Sequence, residues 1–144
     1  MRTETEFIIE NGVLLRYRGN ADTVTLPKGI RAIGRAAFFE AKTLCEVTLP
    51  EGIALIDGSA FAYCAALTRI NIPASVTCIA SEAFYHCHAL CEVSFADTEG
   101  WYHFSRYRDD DREKPIGPGA LFDAKEAAKL LSDTLSCEDI VKRT

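Results

Sequence analysis

The sequence predicts an α/β repeat solenoid, a short right-handed stack of coils with parallel strands, with a β-hairpin cap at its N-terminal end and a helical cap at its C-terminal end. Three observations predict it. An apolar frame returns every 23 residues between Val24 and Phe95; an Asn-Gly pair lies between two apolar runs before it; and an aromatic cluster followed by a helix signature comes after it. A chain of 144 residues suits one domain. Within it, residues 7–23 are expected to be the hairpin cap, 24–95 the repeats, and 96–144 the C-terminal cap with its loop and helix.

The stretch FIIENGVLLRY predicts strands at Phe7 to Glu10 and Val13 to Tyr17, because Asn11 and Gly12 both tolerate the positive φ of a two-residue turn. Such a hairpin would cover the first coil, whose apolar end would otherwise face water. The frame that follows reads V-x-L-P-x-G-I-x-x-I-x-x-x-A-F-x-x-x-x-x-L. Val24, Val47, Ile70 and Val93 occupy one row, and Phe38, Phe61 and Phe84 another. Alternation in the V-x-L step suits a short strand that adds to its copy in the next coil at about 4.8 Å. Pro27, Pro50 and Pro73 end that strand, because proline lacks the N–H of a ladder. Gly29 and Gly52 help the chain bend, with Ser75 in their place in the third copy. The Ala-Phe pair predicts a helical or 3₁₀ turn whose ring fills the middle of each coil.

After Phe95 the period fails. Trp101, Tyr102 and Phe104 are expected to close the last coil. Ser105 to Gly119 reads as a loop, a helix is expected from Asp123 to Leu131 with Asp123 and Glu126 forming a capping pattern, and the tail SCEDIVKRT reads as a short helix or strand.

Composition excludes several function classes. With 16 basic residues scattered among 21 acidic ones and a net charge of −5, there is no basic patch to displace counterions from nucleic acid. No apolar run approaches the roughly 18 residues of a membrane span. The opening MRTETEFIIE lacks the core of an export signal, so the expected location is the cytoplasm.

Of six cysteines, Cys64 and Cys87 lie one period apart and Cys45 and Cys91 two, which reads as thiols packed within coils; in a reducing compartment all six are expected free. His86, Cys87, His88 and Cys91 have the residue types of a metal site, but their spacing matches no zinc framework and the repeat copies do not share it, so no metal or cofactor is expected. Asp109, Asp110 and Asp111 lack the spaced ligands and glycine of a calcium loop and are balanced by neighbouring bases, which predicts a solvated loop.

Two outward surfaces are the candidate binding residues. One is the strand face, with Glu46, Arg69 and Glu92 alternating in sign on neighbouring strands, beside Thr48, Asn71 and Ser94. The other flanks the Phe turn and joins Phe39, Tyr63, Tyr85 and His86.

The frame L-x-x-V-x-L-P-x-G-I-x-x-I-x-x-x-A-F-x-x-C resembles the BspA-like leucine-rich repeat. The resemblance rests on Leu44-Cys45-Glu46-Val47-Thr48-Leu49-Pro50 and its equivalents, on Ala60-Phe61 and Ala83-Phe84, and on Cys64 and Cys87, where such repeats often carry cysteine. IENGVLLRYRG is similar to the cap that often precedes them. The resemblance implies a leucine-rich-repeat solenoid and a recognition role, since family members include surface adhesins. The expected function is thus a non-catalytic module for binding a protein or glycan, the alternative being a small hydrolase-like enzyme with a site near Trp101 and His103.

Overall fold

The structure, a computed structural model, describes residues 6–105, 114–133 and 138–143. Strands β1 (Phe7–Glu10) and β2 (Val13–Tyr17) form the hairpin at the expected residues. Its turn holds Asn11 and Gly12 at φ 53° and 78°, the two left-handed positions that a two-residue type I′ turn requires.

Each coil then contributes two strands where the sequence predicted one. The chain passes through β3 (Thr23–Thr25), β4 (Ala32–Ile33), β5 (Glu46–Thr48), β6 (Leu55–Ile56), β7 (Arg69–Ile72), β8 (Cys78–Ile79) and β9 (Glu92–Phe95). β3, β5, β7 and β9 form one parallel sheet, in which Val24, Val47, Ile70 and Val93 lie side by side, so the repeat spacing has become strand register. β4, β6 and β8 form a second parallel ladder that pairs Ala32 with Leu55 and Leu55 with Cys78. Two residues are too few to show alternation, which is why the I-x-x-I step did not read as a strand. The result is a β-solenoid of about four turns.

Between the two strands of a coil and the next, the chain makes successive tight turns. The N–H groups of Ala37, Phe39 and Ala41 donate to the carbonyls of Gly34, Ala36 and Phe38, each three residues back, and the later coils repeat this. Two backbone positions per coil are left-handed without glycine: Ala36, Ser59 and Glu82 in one row, Glu40, Tyr63 and His86 in the other, all with φ between 58° and 61°. These turns project Phe38, Phe61 and Phe84 into the core. With Phe7 and Tyr17 of the hairpin they form a continuous stack of five rings, with successive centroids 5.3, 5.1, 4.8 and 5.2 Å apart.

Polar groups reinforce the stack from coil to coil. The Thr68 hydroxyl donates to the Cys45 carbonyl, and one period later the Cys91 thiol makes the equivalent contact with the Thr68 carbonyl. Cys91 is therefore an exposed member of a polar row rather than a core thiol. Ser75 Oγ donates to the Ile53 carbonyl and accepts the Gly52 N–H, which accounts for serine at a glycine row.

Beyond β9 come β10 (Trp101–Ser105), β11 (Lys114–Pro115), α1 (Pro118–Phe122), α2 (Ala124–Asp133) and β12 (Glu138–Lys142). β12 lies antiparallel on β8 and β10 antiparallel on β12, which gives an eight-stranded sheet ordered β1-β2-β4-β6-β8-β12-β10-β11. The loop expected through Gly119 is corrected at its end: Lys114–Pro115 is a strand and Pro118, with φ already set for a helix, opens α1. The run from Arg106 to Glu113, including Asp109, Asp110 and Asp111, lies outside the described residues. The expected helix is α2, with Asp123 Oδ1 accepting the N–H groups of Lys125 and Glu126 at 2.9 and 3.2 Å and with Ala127, Ala128 and Leu131 buried. α2 packs against β9, and Trp101 fills the space beneath with its ring edge-on to Phe95 at 5.4 Å. Among the described residues helix occurs only at α1 and α2, and no helix is long and apolar enough to cross a membrane.

The Lys142 ammonium, 8% exposed, is paired with the Asp97 carboxylate and so ties β12 to the segment after β9. The bond from Lys142, followed by that from the Glu99 N–H, holds the Asp97 pKa below the usual carboxylate value. A depressed folded pKa contributes stability that is present above the unfolded value of about 3.9 and is lost as pH falls through the folded one. Urea midpoints at pH 5 and pH 3 are therefore expected to differ more for the natural protein than for Asp97→Asn. Equal differences would show that this pair does not titrate on unfolding.

Candidate functional site

The strand face carries the polar ladder expected from its alternating signs. Arg69 Nε lies 2.9 Å from Glu92 Oε2, and Arg69 Nη1 lies 3.7 Å from Glu46 Oε1. The bond to Glu92, then the two carboxylate charges, raise the Arg69 pKa further and keep the guanidinium charged. Asn71 is engaged more deeply. Its Oδ1 accepts the Leu49 N–H at 2.7 Å and its Nδ2 donates to the Leu49 carbonyl at 2.9 Å, so the side-chain amide continues the β5–β7 ladder where the backbone pairing stops. Thr48 and Ser94 remain exposed beside it. Arg69 and Asn71 of this face are thus satisfied within the protein.

The corner edge is different, because there the turn geometry turns aromatic rings outward. Tyr63 and His86 occupy the same left-handed row in adjacent coils, so their rings stack nearly parallel, 4.9 Å apart with an interplanar angle of 6°. Tyr85 stands edge-on to both, at 5.6 Å from Tyr63 and 4.2 Å from His86. Phe39 meets Tyr63 edge-on at 5.4 Å. His86 Nδ1 and His88 Nε2 are 3.0 Å apart, which brings His88 into the group. Tyr63 is 41% exposed, so the cluster faces solvent. The structure thus joins Tyr63, Tyr85 and His86, and adds His88, whose row otherwise holds Lys42 and Ala65 and so gave no signal by repetition.

Cys64 and Cys87 lie behind this edge, buried, with their thiols donating to the carbonyls of Phe38 and Phe61 at 3.1 and 3.0 Å. The neighbouring Cys64 thiol, and then burial, pushes the Cys87 thiol up, which disfavours the reactive thiolate. Cys45, Cys64, Cys87 and Cys91 are free thiols. Trp101 is 1% exposed and its indole N–H donates to the Asp97 carbonyl at 2.9 Å, so its ring serves packing. His103 lies two residues along the same strand, half-buried.

The sequence reading did not anticipate a cavity of about 510 Å³ between the hairpin and the first coil, bounded by Phe7, Ile9, Pro27 and Lys28. Among the described residues of its lining, Lys28 alone is ionisable. Among the described residues no three His, Cys, Asp or Glu side chains converge as metal ligands.

Residues 10–106 match the BspA type leucine rich repeat region in six copies. Comparison with curated proteins gives no match. Among solved structures, a leucine-rich repeat protein from Bacteroides ovatus is 21% identical with a TM-score of 0.41, over 62% of this chain and 32% of that one. A leucine-rich repeat protein from Eubacterium ventriosum is 19% identical with a TM-score of 0.35, over 62% of this chain and 39% of that one. A leucine rich cell surface protein from Faecalibacterium prausnitzii is 17% identical with a TM-score of 0.27, over 72% and 57%. This chain spans less than half the length of the first two. The repeat match covers more than half of the chain, and its spacing is the strand register of both parallel ladders; the protein belongs to the BspA-type leucine-rich repeat family.

Proposed function

We propose that the protein is a non-catalytic recognition module which binds a protein or glycan partner through the aromatic edge formed by Tyr63, Tyr85 and His86, with Phe39 beside them. The observation that carries this reading is the stacked, half-exposed pair Tyr63 and His86, both held at positive φ. Each coil bears the cost of about 1–2 kcal/mol for a non-glycine residue in that conformation, Glu40 included, so what distinguishes Tyr63 and His86 is the ring each presents there. Tyrosine offers rigid apolar area with a polar tip, the character of binding hot spots, and a neighbouring stack keeps the rings ordered before a partner arrives. The strand face supports recognition less well, because Asn71 is committed to Leu49 and Arg69 to its two glutamates.

In this reading the β1–β2 hairpin and the unit from β10 to β12 act as caps. The hairpin adds Phe7 and Tyr17 to one end of the ring stack, and α2 lies on β9 at the other. A hydrolase-like site around Trp101 gains no support, since that ring is buried and its N–H is already donated.

Affinity capture from a source lysate, followed by titration of the recovered partner, tests the reading. Tyr63→Ala and Tyr85→Ala are expected to weaken that partner at least about tenfold, a hot-spot effect, while Arg69→Glu leaves it unchanged. Loss with Arg69→Glu and retention by both tyrosine variants would move the site to the strand face.

A further inference from the structure

The geometry points to a second property of the corner edge: His86 and His88 form an open two-nitrogen site for a divalent transition metal of the Ni(II) or Cu(II) type. This goes beyond partner recognition and stands or falls independently of it. The two ring nitrogens facing each other, His86 Nδ1 and His88 Nε2, are 3.0 Å apart. With metal–nitrogen bonds of about 2.05 Å, adjacent positions on a square-planar or octahedral ion separate two nitrogens by about 2.9 Å, whereas two tetrahedral positions separate them by about 3.3 Å. The observed distance thus fits the right-angled geometry, with the ion set about 1.4 Å to one side of the line between the nitrogens so that both ring lone pairs turn toward it.

The site is also held in place. The His86 ring is fixed by stacking on Tyr63 at 4.9 Å and by the edge contact of Tyr85 at 4.2 Å, and its backbone is set at φ 58°. His88 is held against it with centroids 5.0 Å apart and rings at 86°. Imidazole nitrogens suit copper, nickel and zinc alike, so the right-angled spacing, rather than the donor type, sets the expected preference. Because no three such side chains converge among the described residues, the ion's other positions stay open to water or to a donor from a bound molecule. Both nitrogens must present lone pairs to the ion, so the ring proton between them moves to the far nitrogen of its own ring, and binding weakens in acid because protons compete for those lone pairs.

The test is titration of Ni(II) into tag-free protein by calorimetry, with the one-dimensional proton spectrum of the tyrosine rings recorded alongside. One Ni(II) per chain is expected, with paramagnetic broadening centred on Tyr63 and Tyr85. His88→Ala, and His86→Asn, which retains a residue tolerant of positive φ, are each expected to weaken binding at least tenfold, with circular dichroism unchanged. No binding at 1 mM Ni(II), equal affinity in both variants, or broadening centred elsewhere would overturn the assignment.

Discussion

Phe61→Ala is expected to lower the unfolding free energy by about 3–5 kcal/mol, the cost of removing a buried aromatic ring and leaving its cavity. Phe61 is fully buried, stacks on Phe38 at 4.8 Å and on Phe84 at 5.2 Å, and so has a coil phenylalanine on both sides. Against a total stability of about 5–15 kcal/mol, this loss removes a large share. Its effect is also shared by two interfaces, because in a stack each coil is stabilised chiefly by its neighbours. Urea denaturation followed by circular dichroism measures it. A loss below about 1 kcal/mol would mean that the adjoining coils close over the cavity, against the close packing of the ring ladder.

Trp101→Ala is expected to cost a similar 3–5 kcal/mol, through a different part of the molecule. Trp101 joins β10 to the last coil by its contact with Phe95 and by its N–H bond to Asp97, the same residue that pairs with Lys142 of β12. Removing the ring loosens both attachments at once. Trp101 is the single tryptophan, so in the natural protein its fluorescence reports this region while circular dichroism reports the whole. Coincident denaturation curves from the two signals are expected if the C-terminal unit and the coils unfold together. An early fluorescence transition would show instead that the C-terminal unit detaches first.

Much of the fold was legible because the repeat supplied its own comparison. The Val, Leu and Phe rows recur at one spacing, and a side chain buried in one coil has to be buried in the next. The hairpin was legible through Asn11 and Gly12, since few residue pairs tolerate positive φ at both positions. The second ladder was hidden because Ala32–Ile33 and its copies are two residues long, and its extension by β12 depends on pairing across more than 50 residues of sequence. Of the candidate binding residues, Tyr63, Tyr85 and His86 could be grouped because they flank one turn. The engagement of Asn71 could not be foreseen, because an amide on a strand face looks the same whether it meets solvent or a neighbouring backbone. His88 escaped for the opposite reason: repetition reveals what coils share, whereas a site can be built from what one coil alone possesses.

The second ladder has a further consequence. The hairpin joins it at β4 and the C-terminal strands join it at β8, and β4, β6 and β8 are equivalent two-residue steps of the same register. Each junction is therefore made with one terminal coil, through Arg31 and Gly34 at the hairpin and through Ser81 at β12, whatever lies between them. Insertion of a whole 23-residue unit between the terminal coils would leave each junction intact, whereas a residue added within one of the short strands would shift the register of that rung. The molecule is in this sense adjustable in whole units, and the length of its outward edge can change by duplication without redesign of either end.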